Sequence, residues 1–108
     1  MEVWDRDGNL VRYWGFAGFG LAGFIGCCNP SQFAVLAEGS VVTAEKGGGR
    51  VKVYTADGVM DGVVAGPEVL GDGGSGFELA VDEAGRILVL EPGGKEVRVF
   101  EKKEKGKR

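Results

Sequence analysis

At 108 residues the chain is the size of one domain with a modest core. Its 21 Gly have no three-residue period and accompany only 3 Pro, which excludes collagen, and 44% apolar residues exclude a disordered linker. The net charge of −3 conceals a split: residues 101–108 hold five Lys/Arg against two Glu, leaving an acidic body without the basic stripe of a nucleic-acid platform.

In chain order, short apolar runs bounded by Gly turns predict strands throughout. Residues 3–5 and 10–14 flank Asp7-Gly8, residues 33–37 and 41–44 flank Glu38-Gly39, and residues 51–54 and 59–64 flank Asp57-Gly58. Gly after an acidic residue supplies the positive φ of a tight hairpin. Further strands follow at 78–81, 87–90 and 97–100. Val51 and Val53 alternate with Lys52, and Val97 and Val99 with Arg98, which predicts one buried face and one wet face. Residues 33–36 and 87–90 are apolar throughout, as expected of strands covered on both sides. No segment carries a capped helical period over ten residues, so helix is expected to be nearly absent.

Between the strands at 10–14 and 33–37 lies the longest apolar run, 16–28. It is shorter than the roughly 20 residues of a membrane span, so none is expected. Ile25-Gly26-Cys27 imitates a lipoprotein cleavage site, but the segment before it is acidic and belongs to the repeat, and no export signal is evident.

The strands repeat. Val35, Gly39, Val41, Glu45, Gly47, Gly48, Val51, Val53 and Tyr54 recur 46 positions on as Val81, Gly85, Ile87, Glu91, Gly93, Gly94, Val97, Val99 and Phe100, and Lys52 recurs as the basic Arg98. The opening Val3-Trp4-x-x-Asp7-Gly8 echoes Val53-Tyr54-x-x-Asp57-Gly58. A period of this length built from strands marks a propeller or solenoid array. The expected fold is all-β, a β-propeller segment of four-stranded antiparallel blades. Residues 1–15 supply the last two strands of a partial blade, 31–66 a complete blade, and 78–101 a three-stranded last blade. Residues 16–30 and 67–77 are expected as inter-blade loops, and 102–108 as a basic tail.

The unit Val42-Thr43-Ala44-Glu45-Lys46-Gly47-Gly48-Gly49-Arg50-Val51-Lys52-Val53-Tyr54 resembles the NHL-repeat β-propellers, with Glu45 in place of the usual Asp. The second unit, 88–100, follows the same pattern, except that Glu96 stands where Arg is usual. The resemblance implies a C-terminal fragment of about two blades from a ring of about six. It also implies that Glu45 and Arg50 tie neighbouring blades by charged hydrogen bonds. Contact with a ligand at the pore mouth is the alternative for this pair. Relatives of this kind include enzymes, receptor ectodomains and substrate readers, so fold alone does not give function.

Function in such scaffolds sits on the longer connections. Those at 16–30, 45–50, 67–76 and 91–96 share one end of the blades, which makes Trp14, Phe16, Phe19, Glu45, Lys46, Arg50, Glu91 and Lys95 the candidate binding face. Trp4, Tyr54 and Phe100 occupy one repeat position and are expected in packing. Cys27-Cys28 can pack a loop as two small apolar side chains, close a vicinal disulfide, or offer soft ligands to a metal. Gly71-Asp72-Gly73-Gly74-Ser75-Gly76 fits a dinucleotide pattern, but a strand follows where the chemistry needs a helix. Asp5-Arg6-Asp7-Gly8-Asn9 opens like a calcium loop, yet Phe16 stands where the bidentate Glu belongs, and a hairpin turn accounts for it.

No catalytic residue, cofactor or metal site is assigned. The expected function is a non-catalytic binding or scaffolding module that engages a protein, peptide or glycan. The alternative is a fragment of a propeller enzyme, a metal-dependent lyase or lactonase-like hydrolase, with its catalytic residues on other blades. Such enzymes rely on pore-facing His or several carboxylates, and the chain has no His. Open strand edges at 3–5 and 97–100 further predict self-association, three copies supplying about six blades.

Overall fold

A computed structural model describes residues 1–15, 23–24, 30–46, 49–70, 77–90 and 97–101. Among the described residues, nine strands form three antiparallel sheets in which neighbours in sequence are neighbours in space. The first is a hairpin of β1 (Glu2–Trp4) and β2 (Leu10–Tyr13). The second orders β3 (Gln32–Val35), β4 (Val41–Glu45), β5 (Arg50–Tyr54) and β6 (Met60–Ala65) as a four-stranded meander. The third joins β7 (Glu78–Val81), β8 (Ile87–Leu90) and β9 (Val97–Phe100). Among the described residues the sheets do not close on one another. The chain is thus all-β, as composition and alternation predict, with one exception: Pro67–Leu70 forms a single helical turn, α1, inside a segment expected as loop. Pro67 starts it where a missing N–H costs nothing, and the Gly66 carbonyl accepts from the N–H groups of Val69 and Leu70. No helix among the described residues is long and apolar enough to cross a membrane.

Four tight turns share one construction. The N–H of Gly8, Gly39, Gly58 and Gly85 donates to the carbonyl three residues earlier, on Asp5, Leu36, Thr55 and Asp82 respectively. In three of them the leading side chain also accepts from the N–H that follows the Gly: Asp5 Oδ1 from Asn9, Thr55 Oγ1 from Val59, and Asp82 Oδ1 from Arg86. These backbone bonds hold the Asp5 and Asp82 carboxyls below the usual carboxylate range. Asp5 additionally accepts from the Asp7 N–H and the Asn9 side chain, so the calcium-like segment is a hairpin turn stabilised by its own donors. Gly58 is required twice over. Its φ of 89° is left-handed, and a Cβ there would collide with the Trp14 indole.

Pleating sorts the middle sheet into two faces. Val42, Ala44 and Val51 point to one side, where they meet Ala65, Leu70, Phe77, Ile87 and Val89 in the main core. This core is the joint between the second and third sheets, and β3 runs beside β7 along it. The other face carries Thr43, Glu45, Arg50, Lys52 and Tyr54, and the first hairpin lies over part of it through Trp14. Both faces of β4 are therefore buried along its whole length.

The expectation that residues 33–36 are covered on both sides fails. Phe33 is 56% and Val35 53% exposed. β3 is the edge of its sheet, and although Phe33 and Val35 share the face of Thr43 and Tyr54, the first hairpin contacts that face at β5 and its turn, where Trp14 packs on Tyr54 and Arg12 donates to the Ala56 carbonyl. In β8, Ile87 and Val89 are buried while Leu88 and Leu90 remain half-buried, so that strand too is fully covered on one face only.

The joint between sheets gives a direct test. Phe77→Ala should cost about 3–5 kcal/mol in denaturant unfolding, and Val59→Ser, at an exposed turn-flanking position, should stay within about 0.5 kcal/mol. Equal unfolding midpoints would show that the Phe77 ring is outside the cooperative core.

Candidate functional site

The β4–β5 register places Glu45 directly opposite Arg50, and Thr43 opposite Lys52. One carboxylate consequently serves two cations: Arg50 Nη2 lies 2.9 Å from Glu45 Oε1, and Lys52 Nζ 2.8 Å from Glu45 Oε2. Both cations also donate to the Gly23 carbonyl, Lys52 at 2.7 Å and Arg50 at 3.3 Å. The next residue, Phe24, presents its ring to the ammonium at 4.7 Å, and Tyr54 presents its own at 5.4 Å. Trp14 completes the aromatic wall, 4.8 Å from Tyr54 and 6.5 Å from Phe24 between centroids. Such faces attract a desolvated cation through their quadrupoles.

The charged groups and the Phe24 and Tyr54 rings are buried. Lys52 and Glu45 have no exposed surface, and Arg50 retains only 7%. Burial pushes the Lys52 ammonium below its ordinary range, with Glu45 pulling in the opposite direction. The Tyr54 phenol is pushed up to about 12, first by burial and then by the Glu45 carboxylate. Thr43 is also fully buried, and its hydroxyl has no hydrogen-bond partner among the described residues. A perturbed lysine is a usual pointer to catalysis. Here the ammonium is enclosed, its donors engage Glu45 and Gly23, and no face of it meets solvent. The cluster fastens the 23–24 segment onto the middle sheet. In chemical terms it is a structural lock.

The expected site residues separate accordingly. Glu45 and Arg50 are brought together as an ion pair; Lys46 lies next to them in the turn, half-buried. Trp14 is half-buried, packed on Tyr54. Phe16, Phe19, Cys27, Cys28, Glu91 and Lys95 lie outside the described residues. Trp4, expected in packing alongside Tyr54 and Phe100, is 54% exposed because it faces away from the middle sheet. Lys52 reverses the alternation rule: it was expected on the wet face and is the most enclosed cation described. Its signal was the recurrence of a basic residue at this strand position, as Arg98, in an otherwise apolar repeat. Phe24 carried no comparable signal. No group of three metal-ligating side chains occurs among the described residues.

A second feature lies at the opposite end of the sheets. A cavity of about 580 Å³ opens between the β3–β4 and β7–β8 turns. Leu36, Val53, Val64, Ile87 and Phe100 form its apolar walls, and Glu38, Asp61 and Glu101 its acidic rim. Set against known proteins, the chain matches no family model, and no curated protein is similar to it in sequence.

Two measurements test the lock. Glu45→Gln strands two buried cations and should cost about 3–5 kcal/mol, while Lys52→Met leaves a one-to-one pair and should change stability by about 1 kcal/mol or raise it. A tolerated Glu45→Gln would remove the structural role. For Tyr54, the folded state keeps its proton above pH 10 while the unfolded state loses it. Stability should therefore fall between pH 10 and about 12, by about 2–3 kcal/mol, and Tyr54→Phe should abolish that part of the fall.

Proposed function

We propose that the chain is a non-catalytic binding or scaffolding module, a segment of an NHL-type β-propeller, that engages an extended segment of a partner protein. The observation that carries this reading is the apolar, acid-rimmed cavity between the second and third sheets. Apolar walls favour Val-, Ile- or Leu-rich side chains over a glycan, and three carboxylates at the rim favour a cation among them. The cavity also runs beside β6 and reaches the end of β9, whose outer edge has no neighbouring strand among the described residues. In the middle sheet the equivalent edge, that of β5, is paired with β6. An extended peptide can therefore add along β9 by main-chain bonds and set alternate side chains into the cavity.

The long connections were expected to hold the partner, but most of their residues lie outside those described. The cavity instead opens at the tight-turn end. The charged groups of the Glu45–Arg50–Lys52 cluster are engaged with one another and removed from solvent, which fits a structural role for that cluster and leaves the cavity to carry the reading.

Gly62 provides the test. It lines the cavity, and a Cβ at this position meets no atom within 4 Å, so Gly62→Leu should fill the cavity without disturbing the fold. Labelled extended peptides with alternating Val and Lys should bind in fluorescence anisotropy, lose affinity with added salt, and fail to bind Gly62→Leu. Equal binding of Val/Lys and Val/Glu peptides, or undiminished binding to Gly62→Leu, would refute the reading.

A further inference from the structure

The internal repeat shows what the third sheet is built to receive. Val42, Ala44, Val51 and Val53 recur as Leu88, Leu90, Val97 and Val99. In the middle sheet, Val42, Ala44 and Val51 are completely buried because the third sheet covers them. Their counterparts point away from that joint: Val97 and Val99 are 53% and 52% exposed, and Leu88 and Leu90 half-buried. An apolar face of the same design is thus covered in one sheet and open in the next.

The other end of the chain presents the complementary half. Trp4 occupies the repeat position of Tyr54, which is 1% exposed beneath Trp14 and Phe24. Within the first hairpin, Arg12 pairs with Val3 and reaches the Ala56 carbonyl, which sets that face toward the middle sheet. Trp4 with Leu10, and Tyr13 with Glu2, form the alternate pairs. These three large side chains are 54%, 44% and 77% exposed. In the second and third sheets, the surface equivalent to this one is the one that seats on the preceding sheet.

We infer that a second copy of this chain docks head to tail. Its hairpin, bearing Trp4, Leu10 and Tyr13, seats on the third-sheet face of Leu88, Leu90, Val97 and Val99. The contact repeats between copies the sheet-on-sheet joint that the chain makes internally, which is why a second copy fits this face. Aromatic side chains against an open aliphatic sheet also meet the usual composition of an interface core. Because the two surfaces differ, the contact is heterologous: each added copy again offers one of each, and the product is a closed ring or a filament.

The test uses the full chain in sedimentation velocity with two variants on exposed positions. Wild type should sediment as an assembly at micromolar concentration. Trp4→Glu spoils the hairpin face and Val99→Lys the sheet face, and each alone should sediment as a monomer with an unchanged far-UV spectrum. Mixed in equal amounts, they should give a dimer and nothing larger, since each retains the face the other has lost. A monomeric wild type, assembly by either single variant, or a mixture that stays monomeric would overturn the proposal. Gly62→Leu should assemble as wild type does, so failure of the peptide reading and failure of this one are separately visible.

Discussion

The β4–β5 ribbon is buried on both faces, and each face meets that burial with different chemistry. Toward the third sheet the solution is apolar: Val42, Ala44 and Val51 lie against Phe77, Ile87 and Val89. Toward the first hairpin it is ionic and aromatic, one carboxylate holding two cations under Phe24, Tyr54 and Trp14. Desolvating three charges is expensive, and a hydrophobic filling would often be as stable. The ions also pin register. Glu45 and Arg50 face each other across the ribbon, and a one-residue slip would turn the charged set into the apolar joint and the valines toward the aromatics.

That register then positions everything attached to the ribbon. The Gly23 carbonyl is held by both cations, which places Phe24 over the sheet, and Phe24 and Tyr54 together give Trp14 its seat. Through Trp14 the first hairpin is oriented so that Arg12 meets the Ala56 carbonyl at the neighbouring turn. On the apolar side, Leu70 of the single helical turn fills the joint before β7 begins. The first and third sheets are thus oriented by short segments adjacent to them in the chain, Trp14 after the first and Leu70 before the third, that pack on opposite faces of the middle sheet.

Repetition links this packing to function. A repeating chain makes the same surface more than once, and an internal neighbour covers only some of the copies. The covered copies become core, and the uncovered ones become apolar faces, edges and the cavity between the second and third sheets. The proposed binding role rests on such surfaces, shaped for a neighbour and left without one. This differs from an enzyme's site, where polar groups converge on a reacting atom.

Strands and tight turns were legible in the sequence, while the helical turn at Pro67–Leu70 was not. Alternation located the strands, and Glu38-Gly39 and Asp57-Gly58 located turns whose Gly adopt the required positive φ. These depend only on residues adjacent in the chain. The partnership of Glu45 with Arg50 was expected only from the unit's resemblance to NHL repeats, and the roles of Lys52, Phe24 and Gly23 were not expected. Alternation identifies which residues share a face; it does not say whether that face meets water, an aromatic wall or another sheet. Trp4 and Tyr54 hold one repeat position yet differ from 54% to 1% exposed, and Val51 and Val97 likewise from 0% to 53%. The difference lies entirely in the neighbour. Burial is set by contacts between segments distant in sequence, and only the tertiary structure decided which copy of each repeated surface received one.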